Sequence, residues 1–260
     1  MMRLVVAAIV AALLTPACAL TGREVIDGAQ QKNGFSTWKD RTTSATMATY
    51  SDGSFTRSRD MDISEQTDPR GEHRTFIAFT GPHDVQGTRF LHISPRGSGD
   101  QQWLFAPSVR RVRRLGEAQR DENFFGADLS YRDLELLVRI QQWNDTEATA
   151  TLEKGETIDG HACHVVTLVP KNEEFSYTKY VLWFATDDAL LWRVEIFDED
   201  GKLFKRVTPK RYQRIGAYAT AMQSDIETVP AKTRTSFDFR EVKYDAGVSD
   251  NVFVVSNLDR

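Results

Sequence analysis

The sequence predicts a mainly β protein built on one strongly curved antiparallel sheet, or partial barrel, of about ten strands. Three observations support this fold class. Segments of alternating apolar and polar residues recur along the chain, short turns rich in glycine, aspartate and proline separate them, and few stretches have helical spacing. Successive strands joined by tight turns form an antiparallel meander rather than a parallel sheet with crossover helices.

Residues 1–19 have the composition of a secretory signal peptide. Arg3 gives a positive start, a continuous apolar run follows, and the small residues Ala17 and Ala19 mark a cleavage site. The run is too short to cross a bilayer as a permanent helix. We therefore expect export, cleavage after Ala19 and a single mature domain over residues 20–260.

An alternative interpretation of the same segment is a lipobox at residues 14–18, in which Cys18 becomes an acylated N-terminus. Thr15 and Pro16 fit that motif poorly. The distinction matters because a lipidated protein stays on its membrane, whereas a cleaved one diffuses. In the cleaved chain Cys163 is the remaining cysteine, so stability must come from a hydrophobic core rather than an internal disulfide.

The charge balance argues against nucleic-acid binding. The chain has 33 Lys and Arg against 37 Asp and Glu, a formal net charge of -4, and no domain-sized basic surface is apparent. No second hydrophobic span follows the first one. We expect a soluble mature body whose contact with a membrane is peripheral.

The first half is expected to begin with a helix and continue as strands. Thr21 can cap a short helix that ends near residues 33–34 and acts as a lid or edge cover. Strands at residues 44–50 and 54–65 flank the hairpin turn 51–53. One face of the second strand is predicted to be solvated because it carries Arg57, Arg59, Asp60 and Asp62. Further strands are expected at residues 73–79, 89–93 and 101–106.

The second half repeats the hairpin pattern. We expect a loop over residues 117–131, one or two helical turns at residues 131–140 and a short closing helix within residues 248–258. No internal repeat and no linker divides the chain into domains. The strands are placed at residues 149–158, 161–169, 177–185, 190–197, 202–213, 217–227 and 233–244.

The stretch from Gln101 to Leu137 is the most distinctive part of the sequence. It opens with an apolar strand that ends at Pro107, continues with four clustered arginines, and closes with aromatic residues and an acidic run. Four adjacent arginines cannot all be buried without partners, whereas the aromatic residues on either side avoid water. The segment therefore lies at a boundary between a solvated face and an apolar one.

The order of the motifs resembles the outer membrane lipoprotein-sorting proteins, whose fold is that of the periplasmic lipoprotein carrier. The motifs are Gly87-Thr88-Arg89-Phe90-Leu91, Trp103-Leu104-Phe105-Ala106-Pro107, Arg110 to Leu115, and Phe125-Gly126-Ala127-Asp128-Leu129-Ser130-Tyr131-Arg132-Asp133-Leu134. With the strand-rich region after Gly155, the resemblance covers most of the mature chain. It implies a half-barrel sheet whose concave face is covered by a few short helices. Between them lies an apolar cavity that shelters an acyl chain.

The resemblance and the scarcity of helix lead to a functional hypothesis. The protein would be a non-enzymatic periplasmic carrier that binds the acyl chains of a lipoprotein or lipid and transfers them towards the outer membrane. Loading or release would need a partner, such as an inner-membrane exporter. We assign a gate to Phe124, Phe125 and Tyr131, and the cavity wall to Trp103 and Phe105. We assign a rim for a lipid headgroup or a partner to Arg110, Arg111, Arg113 and Arg114.

Alternatives remain open for the arginine cluster and for the whole protein. The cluster also fits a solvated strand edge that resists aggregation, and nucleic-acid binding is opposed by export and by the acidic balance. The whole protein also fits an accessory subunit that docks onto a membrane exporter and carries nothing itself.

Enzymatic motifs are weak. His161-Ala162-Cys163-His164 puts at most two metal ligands on one face of a strand, and no second Cys/His pair completes a zinc site. No serine lies in a nucleophile elbow, carboxylate pairs such as Asp187-Asp188 fall at turns, and glycine-rich nucleotide loops are missing. We expect no catalytic residue, no metal and no cofactor.

Overall fold

The computed structural model describes residues 20–34, 37–95, 99–140, 143–171 and 177–260. The predicted signal peptide at residues 1–19 and the lipobox cysteine Cys18 lie outside the described residues. Within the described ranges the chain forms fourteen strands and three α-helices, with additional 3-10 turns. No helix in these ranges is long and apolar enough to cross a membrane.

The bounds of the elements follow the chain in order. The helices are α1 (Gly22–Asn33), α2 (Glu117–Arg120) and α3 (Tyr131–Arg139), and the 3-10 turns are Phe124–Gly126, Asp250–Phe253 and Val255–Asn257. The first six strands are β1 (Asp40–Ser51), β2 (Ser54–Thr67), β3 (His73–Gly81), β4 (Arg89–Ser94), β5 (Gln101–Ala106) and β6 (Arg111–Arg114). The others are β7 (Ala148–Leu152), β8 (Glu156–Ile158), β9 (His161–Pro170), β10 (Lys179–Ala185), β11 (Leu191–Phe197), β12 (Leu203–Ile215), β13 (Tyr218–Thr228) and β14 (Thr233–Tyr244).

All fourteen strands belong to one antiparallel sheet. Their order is β6-β5-β4-β3-β2-β1-β14-β13-β12-β11-β10-β9-β7, and β8 also pairs with β9. The first and last strands are therefore neighbours in the middle of the sheet, while β6 and β7 lie at its edges. The predicted fold class, a mainly β chain with one open, curved antiparallel sheet and few helices, is confirmed.

The sheet contains fourteen strands, more than the expected count of about ten. Arginine-rich β6 pairs with β5, although its sequence gave no strand signal. The strand predicted at residues 149–158 is two strands, β7 and β8, which pair with successive parts of β9. Gly155 lies between them and passes so close to β9 that an added Cβ would lie 3.0 Å from the carbonyl oxygen of Cys163.

Helix α1 begins and ends where the sequence predicts. Thr21 Oγ1 accepts a hydrogen bond from the backbone N–H of Glu24 at 3.2 Å, and the Glu24 carboxylate accepts one from the N–H of Thr21 at 2.8 Å. The helix ends at Gly34, whose left-handed φ of 69° suits glycine. Gly22 lets the helix approach the sheet, because an added Cβ would lie 2.9 Å from the backbone of Ala150. An apolar stripe on the helix is buried and comprises Val25, Ile26 and Ala29.

The two faces of the sheet are covered differently. The inner face carries two hydrophobic clusters, which pack against α1, α3 and the segment that precedes α3. The outer face packs against the C-terminal 3-10 turns, which replace the helix expected within residues 248–258. Alternation along each strand decides the face, so that on β5 Leu104 belongs to an inner cluster and Phe105 to the outer one.

Candidate functional site

A loop at residues 122–131, called the plug below, covers the inner face with aromatic side chains. Phe124 and Tyr131 are almost completely buried, with 1% and 7% of their surface exposed. The Phe124 ring lies 5.9 Å from the ring of Phe79 and 5.4 Å from that of Phe90, and Tyr131 lies 5.6 Å from Phe90. The plug therefore occupies the part of the concave face where the sequence predicts a cavity.

The backbone of the plug is compact and locally strained. The N–H of Phe124 donates to the carbonyl of Leu129 at 2.6 Å, which closes a short turn. At its tip Phe125 has a φ of 50°, a left-handed conformation that costs a residue other than glycine about 1–2 kcal/mol. The Phe125 ring nevertheless reaches within 4.4 Å of the Phe79 ring. Aromatic contacts with the sheet hold this strained tip in place.

Polar anchors attach the plug to strands on both sides of it. The buried Asp128 carboxylate accepts hydrogen bonds from the hydroxyl groups of Thr233 and Thr235 on β14, the latter at 2.7 Å. On the other side Gln102 of β5 donates to the carbonyl of Tyr131 at 2.8 Å. Burial raises the pKa of Tyr131 to about 12, so its hydroxyl is neutral. These few bonds, together with the aromatic contacts, fix the plug.

A buried ion pair holds helix α3 next to the plug. Ser130 caps the helix, and its N–H donates to the Asp133 carboxylate at 2.7 Å. The same carboxylate accepts bonds from Lys205 Nζ at 2.5 Å and from Tyr177 Oη at 2.8 Å. Asp133 and Lys205 are each 5% exposed. Burial raises the pKa of Tyr177 and the charge of Asp133 raises it further, so the phenol remains a donor.

The apolar inner face continues from the first half of the sheet into the second. Beneath α1 and α3, Trp143 packs against Tyr180 with ring centroids 5.7 Å apart, and Leu136 of α3 belongs to the same cluster. Val207 of β12 contacts both inner clusters. The inner face thus offers a continuous apolar surface that helices and loops cover in place of a second sheet.

A cavity of about 430 Å³ lies between the plug and the end of the β1–β2 hairpin. Arg57 and Arg59 line it from β2, and Phe125 and Asp128 line it from the plug. The prediction that Arg59 is solvated is wrong, since only 6% of it is exposed. It faces inward with Met61, because residues two apart on a strand share a face.

The three residues assigned to the gate are brought together, whereas the two assigned to the wall are not. Phe124, Phe125 and Tyr131 all belong to the plug. Placing Trp103 and Phe105 in the cavity wall is wrong, because both lie on the outer face under the C-terminal 3-10 turns. The inner wall behind the plug is formed instead by Phe79 and Phe90.

The four arginines assigned to the rim are exposed along edge strand β6 and the turn before it. The Arg114 guanidinium lies 5.9 Å from the centre of the Trp103 ring on the outer side. Val109, next to the cluster, is 67% exposed. The cluster does not line the cavity beside the plug, and its contact with a headgroup or a partner remains a hypothesis. Its members are Arg110, Arg111, Arg113 and Arg114.

The cysteine and histidine motif on β9 forms part of the outer packing. Cys163 is a buried free thiol whose pKa is raised by burial. The His161 ring stacks on Trp192 with centroids 3.9 Å apart. In the described part of the chain, no three His, Cys, Asp or Glu side chains lie close enough together to hold a metal ion.

Comparisons with known proteins match this geometry. A model for a family described as "Uncharacterized protein" matches residues 71–260. A DUF1329 family protein from Desulfovibrio piger is 26% identical, with a TM-score of 0.82 over 91% of this chain and 97% of that chain. A domain described as an outer membrane lipoprotein-sorting protein domain, from Vibrio parahaemolyticus, is 23% identical with a TM-score of 0.79 over the same shares of the two chains, 91% and 97%.

A third solved structure extends the likeness of fold. It is the LolA superfamily protein NE2245 from Nitrosomonas europaea, which is 16% identical, with a TM-score of 0.67 over 91% of this chain and 98% of that chain. No curated protein matches the sequence. The chain therefore belongs to the family whose model matches residues 71–260, and its plugged half-barrel has the fold of the lipoprotein-sorting and LolA superfamily structures.

Proposed function

We propose that this protein is a periplasmic carrier that binds the acyl chains of a lipoprotein or lipid on its inner face and transfers them towards the outer membrane. The observation that carries the proposal is the plug. Aromatic side chains of a single loop, rather than a second sheet, cover the apolar surface around Phe79 and Phe90. A loop held by few hydrogen bonds opens at lower cost than a sheet, and its departure would free that surface for an acyl chain.

The energetics of such binding need no covalent step. Each buried methylene gains about 0.8 kcal/mol, so about twelve methylenes would gain roughly 10 kcal/mol before the costs of ordering the chain and displacing the plug. Those costs leave a binding free energy compatible with reversible transfer. The gate residues Phe124, Phe125 and Tyr131 would leave the inner face together, because they share one loop. We propose no catalytic residue and no cofactor.

Lipid uptake by the processed protein tests the proposal. The full chain would be expressed with its own leader in a Gram-negative host, recovered from the periplasm under gentle conditions and examined by native mass spectrometry. We expect lipid adducts on the folded protein and an intact mass that begins at Leu20. A clean unliganded mass, with no uptake when phospholipid or acylated peptide is offered, would overturn the proposal. A mass that retains an acylated Cys18 would instead favour an anchored form.

The exposed arginine cluster favours a second candidate function, docking onto an exporter. Arg110, Arg111, Arg113 and Arg114 project from a sheet edge beside exposed Val109, where an acidic partner could bind them. Replacing all four by glutamine should then abolish complex formation with the exporter. Lipid uptake on the inner face should persist in that variant, which separates the two functions.

A further inference from the structure

The cavity beside the plug contains a buried positive charge without a partner. Arg59 lines the cavity with only 6% of its surface exposed. Its Nε has no hydrogen-bond partner, and no residue in the described ranges forms an ion pair with its guanidinium. Burying an unpaired charge is strongly unfavourable, so a fold retains one where a ligand or a partner completes it.

The charges around Arg59 leave the cavity positive. Burial lowers the pKa of Arg59, the nearby charge of Arg57 lowers it further, and Asp84 opposes both effects from an exposed loop. Asp128 also lines the cavity, but its carboxylate oxygens accept hydrogen bonds from Thr233 and Thr235. Arg57 and Arg59 therefore face the cavity without a carboxylate bound to them, an arrangement that attracts an anion.

Hydroxyl-bearing residues also line the cavity, namely Thr49, Ser51 and Thr56. Two of these hydroxyls already donate within the hairpin, Thr56 to the Thr49 carbonyl at 2.7 Å and Thr49 to the Arg57 carbonyl at 3.4 Å. The guanidinium groups of Arg57 and Arg59 therefore supply the charged donors that a tetrahedral oxyanion accepts, with Ser51 as a neutral neighbour.

The position of the cavity relates it to the apolar surface. Arg57, Arg59, Met61 and Ile63 follow one another on the inner face of β2, at intervals of about 7 Å, twice the rise per residue of a strand. Phe125 lines the cavity and also packs on Phe79 inside the aromatic cluster. The charged end of the strand face thus borders the surface that the plug covers, which matches an amphiphile with an anionic head and an apolar tail.

We propose that this cavity binds a phosphate-type oxyanion through Arg59 and Arg57, and that the oxyanion is the headgroup of the lipid carried on the inner face. The assignment of the headgroup rests on the carrier function proposed above, whereas the anion site itself rests on the cavity alone. Free phosphate is the other source of the same chemistry, and the experiment separates the two.

Three probes are compared by equilibrium binding to the purified, processed protein. Lysophosphatidic acid carries a phosphate and one acyl chain, the monoacylglycerol of equal chain length lacks the phosphate, and inorganic phosphate lacks the chain. We expect lysophosphatidic acid to bind at least tenfold more tightly than monoacylglycerol, since one charge-assisted hydrogen bond is worth about that factor. Inorganic phosphate should bind far more weakly than the lysolipid.

Substitutions identify the residue responsible. Arg59→Met should reduce the ratio of the two lipid affinities to about one, and Arg59→Lys should keep part of it because the charge remains while the planar fork is lost. Arg70→Met is the matched control, since the Arg70 side chain is 80% exposed in the turn at the opposite end of β2; it should keep the full ratio. The unliganded Arg59→Met protein should melt at or above the wild-type temperature, because it loses an unpaired buried charge.

Each contrary result has its own meaning. Equal binding of the two lipids by the wild-type protein would overturn the headgroup site and leave the carrier function standing. Binding of neither lipid would overturn the carrier function. Inorganic phosphate binding as tightly as lysophosphatidic acid would overturn the lipid source and establish a site for free phosphate. A lower melting temperature for Arg59→Met, with the ratio retained by its folded fraction, would show that Arg59 is structural.

Discussion

Replacing Phe124 by alanine tests whether the plug competes with the lipid for the inner face. The side chain is 1% exposed, and its ring packs within 6 Å of two sheet rings, at 5.9 Å from Phe79 and 5.4 Å from Phe90. Removing a fully buried phenylalanine costs about 3–5 kcal/mol. If the plug is permanent core, the whole of this cost appears as a lower free energy of unfolding. If the plug must leave before an acyl chain enters, the substitution destabilises the closed state relative to the open one. The apparent affinity for the lipid then rises.

The size of that benefit follows from a population shift. A closed state weakened by about 3 kcal/mol would raise the apparent lipid affinity by up to roughly 100-fold, because about 1.4 kcal/mol corresponds to a factor of ten. Part of the loss also destabilises the fold, so we expect a gain of at least about tenfold together with a lower melting temperature. Displacement of a fluorescent fatty acid measures the affinity, and hydrogen exchange at residues 122–131 reports the opening of the plug.

Phe253→Ala is the matched control for this prediction. Phe253 is 4% exposed but lies on the outer face under the C-terminal 3-10 turns. Its removal should lower stability by a similar amount and leave lipid affinity unchanged. The competition between plug and lipid is refuted if Phe124→Ala behaves in the same way as Phe253→Ala, with lost stability and no gain in affinity.

Three further predictions test other parts of the structure. Lys205→Met leaves Asp133 buried without its cation and should cost about 3–5 kcal/mol in urea unfolding, whereas adding Asp133→Asn should restore part of the loss. Gly22→Ala would place a Cβ 2.9 Å from the backbone of β7 and should lower the free energy of unfolding by roughly 1–3 kcal/mol. Gly28→Ala, whose Cβ would have nothing within 4 Å, should instead stabilise α1 by up to about 1 kcal/mol. Equal effects of the two variants would contradict the close approach of α1 to the sheet at Gly22. Burial lowers the pKa of His73 from 6.5 to about 4, so the unfolded chain binds a proton that the folded chain does not. The free energy of unfolding should therefore fall by up to about 3 kcal/mol between pH 7 and pH 4. If His73→Gln leaves this pH dependence of the unfolding free energy unchanged, the prediction is contradicted.

Local sequence signals predicted the hairpins and the first helix, because turn residues and caps act on their neighbours. Thr21 caps the helix and Gly34 ends it, as predicted, and Glu24 completes a capping box with Thr21. The face of a strand was predictable only where one side is polar. On β5 the residues Trp103, Leu104 and Phe105 are all apolar, since both faces of that strand are covered. Alternation then assigns Leu104 to one face and Trp103 and Phe105 to the other, without indicating which face lies inside.

The cavity was missed for a related reason. Charged residues at positions 57, 59, 60 and 62 of β2 resemble a solvated strand, and the loop that buries Arg59 lies more than sixty residues further along the chain. Strand β6 was missed because arginine has no strong preference for strands, so pairing with β5 decides its conformation. In both places contacts distant in sequence override the local pattern.

The pairing of β1 with β14 has a consequence for how the molecule is made. Residues 41–51 obtain their second set of ladder hydrogen bonds only from residues 233–244, so the central seam closes after nearly the entire polypeptide has been synthesised. Topologies dominated by such distant contacts fold slowly. A nascent chain with an unsatisfied central strand therefore stays extended until its last strand, at residues 233–244, is available to pair with it.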